Sequence, residues 1–200
     1  MSNTTGIYKQ TPSQTVGPFF AYSLTAEQYG YDFKSGFSAS TIEDAAPGKE
    51  IRLIGQVFDG AGKVVTDAVI EIVQADSFGN FASKKHAATQ KGFKGFARSG
   101  TGYDSHQRFD FRCVKPGSIG VDQAPFISVI VHMRGLLNQC FTRIYFDDEA
   151  KANAKDAVLK SVPKARRSTL IATKLKLSSG TVYRFDIRMQ GDQETVFFDL

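Results

Sequence analysis

The sequence predicts a mainly β fold: an antiparallel β-sandwich with one short helix and an extended N-terminal arm. Three observations predict it. Short runs with period-two alternation recur from Ile51 to Asp199, the pattern of strands that bury one face. Turn sequences rich in Gly and Asp separate them, such as Asp59-Gly60-Ala61-Gly62 and Ser178-Ser179-Gly180; these residues supply the backbone freedom that hairpins need. Only Asp147–Ser161 has the composition and the ends of a helix. Many short strands, frequent turns and a single helix point to a sandwich or barrel.

From the N-terminus, Met1–Gln10 is polar and reads as a flexible arm. Thr11–Phe20 carries Pro12 and a Gly17-Pro18 step, so it is extended or turning rather than helical. Such a segment orders only by packing on something. Phe19 and Phe20 are its expected anchors, either on this chain's own domain or on a partner. Ala21–Gly48 is irregular and aromatic, with room for a short helix around Thr25–Tyr29. Residues 1–50 are therefore expected to be an arm and irregular segment packing on partner and core, and residues 51–200 the β domain.

Strands are expected at Ile51–Phe58, Val64–Ala75, Gly92–Ser99, Arg108–Val114, Phe126–Arg134, Cys140–Phe146, Leu170–Leu177, Thr181–Gln190 and Glu194–Asp199. A polar loop fills Asp76–Gln90. Phe126–Arg134 alternates most cleanly. Ile127, Val129, Val131 and Met133 make one apolar face; Phe126, Ser128, Ile130, His132 and Arg134 make a mixed one. The Asp147–Ser161 helix opens on Asp147, Asp148 and Glu149, which complement the helix dipole, is rich in Ala, and stops before Pro163.

Composition removes several functions. Two hundred residues suit one domain with a core of its own. Seventeen Phe and no Trp make that core Phe-dominated. The net charge of +5 is spread without a basic run, so nucleic acid is not an expected partner. No stretch approaches the ~20 apolar residues of a membrane span, and no signal-like segment opens the chain. Two cysteines without a C-x-x-C motif, Cys113 and Cys140, suit buried thiols in a cytoplasmic protein.

Nucleotide loops, G-x-S-x-G and H-E-x-x-H are all absent. His86, His106 and His132 are scattered over different elements, whereas a metal needs three or four converging ligands. Arg134 stands apart. It ends the mixed strand face just before Gly135. Its planar fork suits a carboxylate, and an exposed strand-end arginine is the plain alternative.

The chain resembles the intradiol ring-cleaving dioxygenases. The resemblance rests on Leu53-x-Gly55-x-Val57, Asp59-Gly60, Glu71-Ile72-Val73-Gln74-Ala75, and Arg108–Pro116 with its Val-Lys-Pro-Gly ending. Ala124-Pro125, Tyr145-Phe146, the tail from Tyr183 to Asp199 and the run Thr11–Pro18 match as well. It covers about residues 7–200. It implies a complex of two homologous β-sandwich chains, alpha and beta, that uses O2 to split a carboxylated catechol, 3,4-dihydroxybenzoate, between its hydroxyl-bearing carbons. The beta chain of such a complex holds non-haem Fe(III) through two tyrosines and an H-x-H pair on one strand. Residues i and i+2 share a face roughly 6–7 Å apart, so both can reach one ion.

This chain departs from that pattern. The H-x-H positions are Phe126 and Ser128, and the tyrosine positions are Ile119 and Phe81. One hydroxyl and three hydrocarbon side chains cannot hold iron. The resemblance therefore points to the iron-free chain, inactive alone, with Phe126 and Ile119 filling the old cavity. It also implies a share in the substrate cleft for Thr15, Gly17, Pro18, Phe19 and Arg134. The family often has tyrosine at the Phe19 position, so a hydroxyl is lost there. The same vacant positions suit a second reading, a β-sandwich binding or scaffold protein without catalysis.

Overall fold

The computed structural model describes residues 12–17, 19–87, 90–102, 104–178 and 180–199. The polar arm Met1–Gln10 and Thr11 lie outside them. Ten strands are described: β1 Glu50–Gly55, β2 Val57–Phe58, β3 Val69–Gln74, β4 Phe96–Gly100, β5 Phe109–Val114, β6 Ile127–His132, β7 Cys140–Phe146, β8 Ile171–Leu177, β9 Gly180–Arg184 and β10 Ile187–Arg188. Eight of them form one sheet in the order β4-β3-β6-β7-β8-β9-β1-β5, and β10 pairs with β2. The two ends of that order meet: the Asp110 N–H of β5 donates to Ser99 Oγ of β4 at 3.2 Å. The sheet is nearly closed, which leaves little free edge for pairing with other chains.

The expected all-antiparallel pairing needs correction. β7 and β8 run parallel, with Tyr145 opposite Ile171, and so do β1 and β9, with Arg52 opposite Val182. A parallel neighbour requires a long crossover. The chain between Phe146 and Ile171 provides one for β7 and β8.

Inside the closure lies the main core, with Ile51, Leu53, Ile70, Ile72, Phe109 and Phe111 from the flanking strands. β6 contributes Ile127, Val129 and Val131, all buried, while Ser128, Ile130 and His132 between them are half-buried. Each such Ile or Val stabilises the fold by roughly 1.5–3 kcal/mol. A second, smaller core groups Ala124, Phe126, Tyr145, Leu159, Val162 and Leu170 beneath the crossover.

The single helix is corrected too. α1 is Phe20–Leu24, followed by a 3-10 turn at Ala26–Tyr29. Asp147–Ser161 breaks into a 3-10 turn (Asp147–Glu149), α2 (Ala150–Asn153) and α3 (Ala157–Ser161). Asp156 causes the break. Its side chain caps α3 by accepting the Leu159 N–H at 2.8 Å, and a capping residue takes a non-helical backbone. The same buried carboxylate accepts the Tyr145 hydroxyl at 3.0 Å and the Ala124 N–H at 2.9 Å. Asp147 and Asp148 serve as pins to the sheet. Asp147 accepts the Lys174 N–H at 3.0 Å. Asp148 accepts Lys115 Nζ (2.9 Å), Lys174 Nζ (3.0 Å) and the Tyr183 hydroxyl (2.8 Å).

Two outcomes follow from these carboxylates. Asp156→Ala leaves three buried donors without an acceptor and is expected to destabilise the fold by ~3–5 kcal/mol, read as a shift of the urea midpoint at unchanged slope. Burial alone would raise the Asp148 carboxyl, but donors from Lys115, Tyr183 and Lys174 outweigh it and hold it well below the usual carboxylate range. A depressed folded value adds stability above the unfolded carboxylate value of about 4, lost as pH falls through the folded one. Asp148→Asn should therefore flatten the acid limb of a stability–pH curve below about pH 4.

Candidate functional site at the end of β6

β3 and β6 pair antiparallel with Val69 opposite His132. Continuing that register two residues beyond the strands places Asp67 opposite Arg134. There Arg134 Nε donates to Asp67 Oδ2 at 2.5 Å. Asp67 keeps only 15% of its side chain exposed, while Arg134 keeps 56%. The terminal NH2 groups of Arg134 face no further acceptor among the described residues. Gly135 follows with φ +93°, a backbone region open chiefly to glycine, and the chain turns away directly after the guanidinium.

The N-terminal segment closes over this point. The Gly135 N–H donates to Thr15 Oγ at 2.7 Å across 120 positions of sequence. A hydroxyl that accepts one bond still has a proton to give. Behind the segment, Gln14 and Val16 line a cavity of about 220 Å³ with His132, Met133, Leu136 and Leu137.

Phe19 does not anchor the segment on this chain's own domain. It is 72% exposed, and the fully buried residues of the segment are Ala21 and Ala26. Small side chains let α1 and the following turn lie close on the sheet. Gln28 fixes them there by accepting the Gly100 N–H and donating to Ser99 Oγ at 3.2 Å. Gly102 is needed for the approach, since a Cβ there would stand 2.4 Å from the Tyr29 ring. Phe19 instead packs on Tyr22 at 5.9 Å between ring centroids, and Tyr22 meets Tyr29 edge-on at 4.6 Å. The Tyr29 hydroxyl reaches Thr66 O at 3.4 Å. Burial first, then the charge of Asp67, pushes Tyr29 up to about 12.

Thr15 thus meets the residue after Arg134, and an aromatic row runs from Phe19 through Tyr22 to Tyr29, whose hydroxyl reaches the carbonyl next to Asp67. Gly17 lies between, its carbonyl accepting the Phe20 N–H at 3.3 Å. Pro18 lies outside the described residues. Gln28, Tyr29 and Asp67 carry no motif, and only the β3–β6 register could have singled out Asp67.

The four positions that hold ligands in the iron-bearing pattern behave differently. Phe126 is 6% exposed, with the Arg143 guanidinium 4.2 Å above its ring, so this position is filled by packing. Ser128 is half-buried and pairs with Arg143 across the sheet. Ile119 and Phe81 are 36% and 44% exposed, so Ile119 does not fill a cavity within this chain. Both lie on loops that touch, since a Cβ on Gly79 would fall 1.9 Å from Ser118 O. One hydroxyl among four side chains does not fit Fe(III). The nearby Tyr145 hydroxyl is committed to Asp156.

Elsewhere, His132 Nε2 stands 3.4 Å from Glu71, whose carboxylate also takes Arg98. Burial pushes the Cys113 and Cys140 thiols up, away from the reactive thiolate. Among the described residues, no group of three or more His, Cys, Asp or Glu could hold a metal, and no helix is long and apolar enough to cross a membrane.

Comparison with known proteins places the chain. A family model described as dioxygenase matches residues 17–191. The "Protocatechuate 3,4-dioxygenase alpha chain" of Burkholderia cepacia is 54% identical over 193 residues, 96% of this chain and 98% of that one. The beta chain from the same organism is 28% identical over 173 residues, 78% of this chain and 71% of that one. Among solved structures, the intradiol ring-cleavage dioxygenase from Tetranychus urticae shares the fold with a TM-score of 0.60 at 15% identity, covering 94% of this chain and 100% of that one. The nearly closed sheet, the full-length match and the greater likeness to an alpha chain than to a beta chain agree, and the chain belongs to the intradiol ring-cleavage dioxygenase family.

Proposed function

We propose that this chain is the alpha subunit of a protocatechuate 3,4-dioxygenase and forms one wall of a substrate cleft whose iron sits in a homologous beta chain. The observation that carries this is the 54% identity over nearly the whole length of both chains to a protein of that name. The complex adds both atoms of O2 to 3,4-dihydroxybenzoate, breaking the ring bond between the two hydroxyl-bearing carbons to give 3-carboxy-cis,cis-muconate. Iron, bound by the beta chain's tyrosines and histidines, supplies the oxygen chemistry. This chain contributes binding and orientation.

Arg134 takes the substrate carboxylate through its terminal NH2 groups, which makes a short charge-assisted pair. Thr15 donates its remaining proton to a substrate oxygen. Gly17 lies at the cleft edge, Pro18 is kept as a substrate-binding candidate on sequence grounds, and Phe19 offers an aromatic face. The exposure of Phe19, Tyr31, Phe33 and Phe37 supports an apolar docking face for the beta chain. Residues 1–50 act as an arm shared between core and partner, and 51–200 as the sandwich domain. Free Cys113 and Cys140 suit a reducing cytoplasm. A scaffold protein without catalysis is not favoured, because nothing in the fold speaks for it over the family's enzymes.

Two measurements test this. Arg134→Ala in the assembled complex is expected to raise KM about 10-fold or more, with kcat and iron content near wild type, as loss of a charged hydrogen bond of ~1.5–3 kcal/mol requires. Unchanged KM and kcat would make Arg134 structural only. The chain purified alone should carry almost no iron and show no turnover; near-stoichiometric iron with a visible phenolate-to-iron absorption would overturn the assignment.

A further inference from the structure

We infer that Asp67 is a positioning residue for substrate binding: it holds Arg134 by one edge so that the other edge meets the substrate carboxylate. The inference rests on the role proposed for Arg134 and adds the group that makes that role possible. An arginine just past a strand end has much rotamer freedom to lose, and an unrestrained one would place its charge over a wide arc. Here Asp67, opposite it where the β3–β6 register is continued past the strand ends, takes Nε alone. That leaves the two terminal nitrogens, the pair that matches a carboxylate end-on, free of acceptors among the described residues.

The support is rigid because Asp67 is itself fixed from several sides. Thr101, fully buried, donates from Oγ to Val65 O at 2.8 Å and accepts the Ala68 N–H at 3.1 Å, so residues on both sides of Asp67 are tied to one side chain. The Tyr29 hydroxyl reaches the carbonyl of Thr66. On the other side, Thr15 holds the N–H of Gly135, the residue after Arg134. The guanidinium is thus held at Nε by Asp67, and the next peptide is held by the N-terminal segment. A supporting shell of this kind keeps a binding group within the tolerance that productive geometry demands.

The experiment uses the assembled, iron-loaded complex with 3,4-dihydroxybenzoate and with catechol, which lacks the carboxylate. Asp67→Asn is expected to raise KM for 3,4-dihydroxybenzoate about 3- to 10-fold with kcat within about two-fold, and to leave KM for catechol unchanged. Added to Arg134→Ala it should cost nothing further, because the two residues act as one unit. Asp67→Glu should recover part of the affinity. An unchanged KM in Asp67→Asn, an equal rise for both substrates, or additive effects with Arg134→Ala would overturn the inference. If Arg134→Ala itself leaves KM unchanged, the fault lies with the role proposed for Arg134; if Arg134→Ala raises KM and Asp67→Asn does not, only the role of Asp67 falls. Iron content and thermal midpoint of each variant separate a folding defect from a binding one, and Asp67→Glu, which keeps the charge, carries the test if Asp67→Asn fails to assemble.

Discussion

The register of β3 against β6 is the constraint on which most of this molecule depends. With Val69 opposite His132, Ile127, Val129 and Val131 all face the core. Period-two geometry makes a one-residue slip fatal, because it would exchange the buried set for Ser128, Ile130 and His132. The same register continues past the strand ends and sets a carboxylate against a guanidinium. Hydrophobic burial of several residues thus fixes the position of one polar pair that contributes little to stability itself, since an exposed ion pair is worth at most about 1 kcal/mol. The site inherits its precision from the core.

On the proposed reading of an iron-free chain, the region of β6 also accounts for how the fold is kept. Its N-terminal end, where the family places metal ligands, has Phe126 packed beneath Arg143 and beside Tyr145. Its C-terminal end keeps the charge that faces outward. Removing metal ligands from a buried site would leave unfilled volume, which costs stability in a close-packed interior. Phe126 meets that requirement inside the chain. Ile119 and Phe81 do not, because their loops stay at the surface, and apolar side chains so placed suit a neighbouring chain better than solvent.

Much of this was legible in the sequence. The alternation of β6 announced its buried face, because periodicity is a local property. Most of the strands and the turn at Asp59-Gly60 were readable from pattern, but the expected strand Glu194–Asp199 is irregular apart from a single bridge at Phe198, and Thr181–Gln190 divides into β9 and β10. What was missed was set by distant residues. The break in the Asp147–Ser161 helix depends on Tyr145 and Ala124 supplying donors to Asp156, and nothing in the Ala-rich run itself signals it. Parallel pairing of β7 with β8 depends on where the crossover lands. Phe19, expected to anchor the N-terminal segment on this domain or on a partner, is exposed on this domain, and Gln28 and Tyr29 make the close approach to the sheet at Gly100 and Gly102 instead.

The hydrogen bond between Thr15 and Gly135 has a consequence for the order in which the protein is made. Joining points 120 residues apart in an open chain would cost about 4 kcal/mol of loop entropy before any constant term, and one hydrogen bond returns about 1 kcal/mol. The contact can form only after the sheet has already brought its two ends near each other. The contact between the N-terminal segment and the turn after β6 therefore depends on a sheet already formed and does not organise it.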